Sequence, residues 1–226
     1  MALYPQDIDI GAEVYSSDGH KLGQLSRVVL KRSDLTLTHI VVDIGFLRSG
    51  HHLWEGGLGL DYDRVVPAAA VASARSGRVD LALTAQAFKD APEFSEERYE
   101  GPLDLTPGNY DIADVALQAQ AVAGAIASAP GAWIVERLNK PLDSLDVRDG
   151  MGVWRNYPHE KLGEVDRGIF DAETGKLQAF VVKRGFIMTR DVILPVRYVA
   201  EIIDDVSVRV DITDEELDKL QEYREP

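Results

Sequence analysis

The 226-residue chain contains no cysteine, which excludes disulfides, thiolate metal sites and cysteine nucleophiles together and fits a reducing compartment. Basic charge is also scarce. Lys and Arg number 24 against 38 Asp and Glu, giving a formal net charge of −14 and a sequence pI near 4.7. The longest basic runs are the pairs Lys31-Arg32 and Lys183-Arg184. Such a field repels phosphate groups over roughly a Debye length, about 8 Å at physiological salt, so neither direct nucleic-acid contact nor membrane binding is expected. Long hydrophobic runs are missing too. The stretch of lowest charge, Val115 to Val135, is interrupted by Gln118, Gln120 and Pro130 and lacks the apolar density of a span of about 20 residues. The opening Met1-Ala-Leu-Tyr-Pro-Gln-Asp7 has neither a basic nor an apolar signal region. A soluble cytoplasmic protein is the expectation.

What the chain does have is a repeat. Val14-Tyr15, Lys21-Leu22-Gly23, Ile40-Val41-Val42, Gly45-Phe46-Leu47 and Pro67 return as Val153-Trp154, Lys161-Leu162-Gly163, Phe180-Val181-Val182, Gly185-Phe186-Ile187 and Pro195. In both copies 22 residues separate the two glycines, and 18 separate the first glycine from the middle valine. Equal spacing predicts equal folds, hence two modules in one chain.

Each copy reads as short strands divided by turns. In the first, residues 13–16, 22–30, 37–44, 64–67 and 79–83 carry β patterns, with a hairpin around 31–36. By period two, Thr38, Ile40, Val42 and Ile44 share one face, and His39, Val41 and Asp43 the other. In the second, the strands are 152–155, 163–170, 177–184, 192–195 and 207–212, with a turn at 171–175. Turns recurring every eight to twelve residues predict a small barrel or sandwich. Pro67 and Pro195 fall at matching strand ends, where a missing N–H is tolerated. Both copies close on a helical signal. Thr213-Asp-Glu-Glu216 has the form of a capping box, and Thr84 begins a weaker counterpart.

Between the copies, Pro92, Pro102 and Pro107 mark a connector. Ile112, Val115, Ala116, Ala119, Val122, Ala123 and Ile126 then fall on one helix face that ends at Pro130-Gly131. An alanine-rich stripe of this length is marginal alone, so it packs in cis, pairs with another chain, or frays.

With these motifs in place the chain resembles the PRC-barrel family, found in the photosynthetic reaction centre H subunit and in the ribosome maturation factor RimM. The resemblance rests on Gly11, Val14, Gly19, Lys21-Leu22-Gly23, Ile40-Val41-Val42, Val66-Pro67 and Val71. In the second copy it rests on Gly150, Val153, Lys161-Leu162-Gly163, Phe180-Val181-Val182, Leu194-Pro195 and Val199. It implies a mainly β protein: a first PRC-type barrel in residues 1–100, a connector with the Ala-rich helix in 101–145, and a second barrel in 146–226. Each barrel would carry a short C-terminal helix. The resemblance also implies a binding module with no shared catalytic centre. The membrane helix of the H subunit and the N-terminal barrel of RimM have no counterpart here.

Candidate sites lie where the copies differ. Gly45 to Pro67 spans 22 residues and Gly185 to Pro195 only 10, so the first copy holds 12 extra residues around His51, His52, Trp54, Leu58 and Leu60. This loop is either a partner-binding surface or a cover over a barrel end. With Val115, Ala119 and Val122 of the connector helix, these are the expected partner contacts. Adjacent imidazoles need a third ligand such as His20, Glu55 or Asp61, and no second metal-type spacing supports one, so no metal is assigned. His20 and His159 sit in matching turns, a placement that suggests turn chemistry rather than catalysis. Gly57-Leu-Gly59 lacks the third dinucleotide-binding glycine, and Glu173-Thr-Gly-Lys176 reads as a hairpin turn. The acidic groups Glu96-Glu97, Asp204-Asp205 and Asp214-Glu215-Glu216 read as solvated faces or helix-start charges. No catalytic residue and no cofactor are assigned. The expected function is a noncatalytic adaptor for protein partners. The alternatives are a self-associating structural protein, a ribosome or RNA-maturation accessory factor, or a soluble assembly factor resembling the H subunit.

Overall fold

The computed structural model describes residues 6–44, 63–100, 133–184 and 191–224. The first repeat contributes β1 (Asp7–Asp9), β2 (Glu13–Tyr15), β3 (Lys21–Lys31), β4 (Leu37–Asp43), β5 (Arg64–Pro67), β6 (Val71–Arg75), β7 (Arg78–Leu81) and helix α1 (Ala85–Lys89). Next come β8 (Ser95–Glu100) and β9 (Trp133–Leu138), an antiparallel pair in register from Ser95↔Leu138 to Glu100↔Trp133. The second repeat gives β10 (Ser144–Arg148), β11 (Gly152–Arg155), β12 (Glu160–Phe170), β13 (Leu177–Arg184), β14 (Asp191–Pro195), β15 (Val199–Ile203), β16 (Ser207–Val210) and helix α2 (Asp214–Asp218). Residues 95–138 form one compact unit, and residues 1–94 together with 139–226 form another.

The larger unit holds two seven-stranded sheets of the same design. One runs β5-β4-β3-β2-β7-β6 with β10 added to β3; the other runs β14-β13-β12-β11-β16-β15 with β1 added to β12. The seventh strand of each sheet therefore comes from the other repeat. The exchange is reciprocal and in equivalent register: Asp7, Ile8 and Asp9 lie opposite Ile169, Gly168 and Arg167, and Asp146, Val147 and Arg148 lie opposite Val29, Val28 and Arg27. The hairpin turns repeat the relationship, with Leu37 N–H donating to Gly175 O and Leu177 N–H donating to Leu35 O. β10 begins at Ser144, inside the stretch read from sequence as connector.

The expectation of barrels is met only as far as mainly β sheets with a short helix at the end of each repeat. Neither sheet path closes on itself among the described residues. The reason is visible at the edges. After α1 the chain returns along β5, with Val65 N–H donating to Pro92 O and Phe94 N–H to Asp63 O. After α2 it returns along β14, with Ile193 N–H donating to Gln221 O and Tyr223 N–H to Asp191 O. These short segments satisfy edge groups that barrel closure would otherwise have paired.

Alternation places most of the core. Ile40 and Val42 enter the main cluster shared by both sheets, while Val41 joins Val29, Val65 and Phe94 on the opposite face. Thr38 departs from the period-two expectation. A bulge between Val29 and Leu30 shifts the β3–β4 register, so Leu37 enters the core and the Thr38 hydroxyl donates to Val29 O at 3.0 Å. The Lys-Leu-Gly motif also gains a physical reason. A Cβ on Gly23 would lie 2.1 Å from Asp43 O, and one on Gly163 2.1 Å from Lys183 O, so only glycine permits this strand approach.

Candidate functional site

The loop residues His51, His52, Trp54, Leu58 and Leu60, and the helix positions Val115, Ala119 and Val122, lie outside the described residues. The side chains of Glu96 and Glu97 do as well. The other sequence candidates can be placed. Asp171 accepts from the N–H groups of Glu173 and Thr174 and Gly175 has φ 68°, so Glu173-Thr-Gly-Lys176 is the β12–β13 turn. Thr213 and Glu216 form the reciprocal capping box of α2, with the three acids in its first turn. Asp204 and Asp205 do more than face solvent. Asp204 accepts from Lys140 Nζ at 2.8 Å and from Asp146 N–H at 2.6 Å, while Asp205 joins Arg27 at 2.6 Å and Arg148 at 3.1 Å. Among the described residues, no group of three or more His, Asp or Glu side chains is disposed to hold a metal ion. Nor is any helix among them long and apolar enough to cross a membrane.

The two turns bearing His20 and His159 are built differently. In the first repeat the Arg78 guanidinium covers the Tyr15 ring at 3.9 Å, the Tyr15 hydroxyl donates to Glu13, and His20 Nδ1 lies 3.5 Å from Asp18. The Ser16 hydroxyl and the Ala85 N–H hold the Asp18 carboxyl down to about 2, fastening this turn to the start of α1. In the second repeat Trp154 stacks on His159, with ring centroids 5.3 Å apart, and Arg209 Nη1 lies 2.9 Å from His159 Nε2. Tyr157, in the same turn, is 90% exposed. One repeat thus covers its aromatic ring with charge, and the other displays an aromatic turn. The sequence signal for this site was the extra residue before Lys161, together with Trp154 where the first repeat has Tyr15.

Where the exchanged strands meet their hosts, two equivalent charged junctions form. Arg27 lies over the Phe94 ring at 5.0 Å, and Arg167 lies over the Tyr223 ring at 5.3 Å. The acids that hold them come from different positions. Arg27 is held by Asp205 in the β15–β16 turn; Arg167 contacts Asp9 on β1 at 3.4 Å, buried Asp166 at 3.2 Å and Ser76 in the β6–β7 turn at 3.3 Å. Lys183 completes the second junction by donating to Asp166, which raises the pKa of the Lys183 ammonium. The first junction opens into a cleft of about 240 Å³ bordered by Gln24, Ser26, Arg27, Asp43, Arg148 and Asp149. Burial pushes the Asp149 carboxyl up, and it forms no ion pair among the described residues.

Comparison with curated proteins finds no match. Residues 142–217, from the start of β10 through most of α2, match the family model of the PRC-barrel domain, and the chain therefore contains one PRC-barrel domain.

Proposed function

We propose that the chain is a noncatalytic, cytoplasmic protein-interaction adaptor built from two PRC-type modules, the first repeat being a second module of the same kind. Identical strand order, identical bulge positions and the paired Gly23 and Gly163 contacts support the duplication. The observation that carries the binding role is the aromatic turn of the second repeat. Tyr157 stands exposed in the turn that follows Trp154, whose ring stacks on His159, whereas Tyr15, the first-repeat counterpart of Trp154, is covered by Arg78. Exposed aromatic side chains on a firm turn supply contact area at small entropic cost. The loop at 48–62 and the stripe from Ile112 to Ile126 are further proposed contacts.

The test is affinity capture from extract of the native cell, comparing the intact chain with its Tyr157→Ala and Trp154→Ala variants. A protein retained by the parent, and held on the order of tenfold more weakly by both variants, is the expected result. Equal retention by the variants, or no retained protein, would overturn the reading.

A further inference from the structure

Each exchanged strand crosses from one sheet to the other at a sharp point. Ile10 N–H donates to Asp166 O of the second repeat, and the next N–H, that of Gly11, donates to Leu25 O of the first. The second crossing is built alike. Arg148 lies opposite Arg27 of the first repeat, while Gly150 N–H donates to Val165 O of its own. Both turning residues are glycines at positive φ, 117° at Gly11 and 70° at Gly150, a conformation that glycine adopts without the strain of a side chain.

Each crossing strand also fits the sheet it leaves. Arg27 and Arg167 hold equivalent places, opposite Val41 and Val181, so β1 laid on its own repeat would set Asp9 opposite Arg27. β2 already sets Glu13 opposite Gln24 on the same strand. Residues 10–12 would then face residues 25 and 26, one extra residue, which is the count of a single β-bulge. The second repeat gives the same result: with Arg148 opposite Arg167 and Gly152 opposite Glu164, residues 149–151 face 165 and 166. Backbone pairing is therefore equal in the two arrangements, and side chains choose between them. Asp205 bridges the arginines that the exchange sets side by side, reaching Arg27 at 2.6 Å and Arg148 at 3.1 Å.

We infer that the chain is a reversible strand-exchange device with a second arrangement, in which β1 turns at Gly11 onto β3 and β10 turns at Gly150 onto β12. The two repeats then separate, with the bonds from Leu37 N–H to Gly175 O and from Leu177 N–H to Leu35 O broken, and residues 95–138 hold them as a tether. Such exchange is accessible wherever the open and closed forms contain the same strand pairs and a hinge joins them. Asp205 is the latch. Its side chain is 46% exposed, so salt weakens its hold on the arginines and favours the separated form. The device stands apart from the adaptor reading and does not rest on it.

A chain without cysteine lets engineered disulfides report the pairing in the full-length protein. Asp7 lies opposite Ile169 in the exchanged form and would lie opposite Val29 in the other, where Asp146 now stands. The variant Asp7→Cys/Ile169→Cys reports the first form and Asp7→Cys/Val29→Cys the second, both at a strand-pair spacing that a disulfide spans. On mild oxidation the first pair should close rapidly and the second slowly, each within one molecule. Adding Asp205→Asn should speed closure of the second pair about two- to fivefold, the effect of losing a partly exposed ion pair, and raised salt should act in the same direction. Asp205 bonds to β3 and β10 and not to β1, so this coupling distinguishes exchange from fraying of β1 alone. The oxidised Asp7→Cys/Val29→Cys protein should show a larger radius of gyration in small-angle scattering than its reduced form. No second disulfide, a disulfide only between molecules, a closure rate unaltered by Asp205→Asn, or an unchanged radius would each overturn the proposal.

Discussion

Gly168 lies beneath the ring of Phe170, so that a Cβ on Gly168 would stand 2.6 Å from Phe170 Cε2. In the first repeat the same two places hold Val28 and Leu30, both fully buried. Each repeat fills one volume with a different pair. Opposite them on the exchanged strands the complement continues, Ile8 facing Gly168 and Val147 facing Val28. Gly168→Val alone should cost about 1–3 kcal/mol by overpacking. Joining it to Phe170→Leu should recover part of that loss, giving a coupling of about 1–2 kcal/mol in a urea double-mutant cycle. Additive single costs would show that the pair does not share one space.

Gly23→Ala and Gly163→Ala should each cost about 3 kcal/mol or more, because the added carbon meets a backbone carbonyl at 2.1 Å and no side chain can rotate aside. Gly77, with open space around it, is the control for a nearby glycine, although its φ of 69° still penalises alanine through backbone strain. Midpoints in urea at constant slope are the measurement.

Two aspartates should give pH dependences of opposite sign. Asp18 is held down to about 2, so its contribution is present above the ordinary value of 3.8 and is lost as pH falls through about 2. Asp146, on exchanged strand β10, is 1% exposed; burial pushes its carboxyl up despite Lys140 Nζ at 2.9 Å. Its contribution is complete below 3.8 and is lost as pH rises through the folded value. Asp146→Asn should therefore gain on the parent as pH rises above 3.8. Asp18→Asn should lose its disadvantage as pH falls toward about 2. Urea midpoints across pH test both, and parallel profiles would refute the assignments.

The two helix starts should differ in strength. Thr213 and Glu216 bond reciprocally, whereas Thr84 only accepts from Ala87 N–H at 3.2 Å. Thr213→Ala should cost about 1 kcal/mol and Thr84→Ala about half that, since one orphan donor is satisfied there rather than two. Equal losses in urea titration would contradict this ranking.

Much of the frame was legible in the residues because the forces that set it are local. Alternating Ile40, Val41 and Val42 define a strand with two faces, Asp171 and Gly175 define a turn, and Thr213 defines a helix start, each within a few residues of chain. The duplication was legible for the same reason, as equal spacing between glycines. The aromatic turn was half legible: Trp154 marked the repeat, but only the fold showed that Tyr157 is exposed while Tyr15 is covered.

The strand exchange was not legible. β1 is three residues long, Asp7-Ile8-Asp9, and β10 places Asp146 among buried neighbours, so neither carries a strand pattern of its own. Two homologous sheets also offer nearly the same groove, and local sequence does not say which of them a short strand will join. Pairing of Arg27 with Asp205, 178 positions away, decides that, as does the filling of the space over Gly168 by Phe170. The sequence alone determined two β modules with capped helices in an acidic chain without cysteine. Tertiary structure alone decided that each module is completed by a strand of the other, because charge neutralisation and close packing act between residues that only folding brings together.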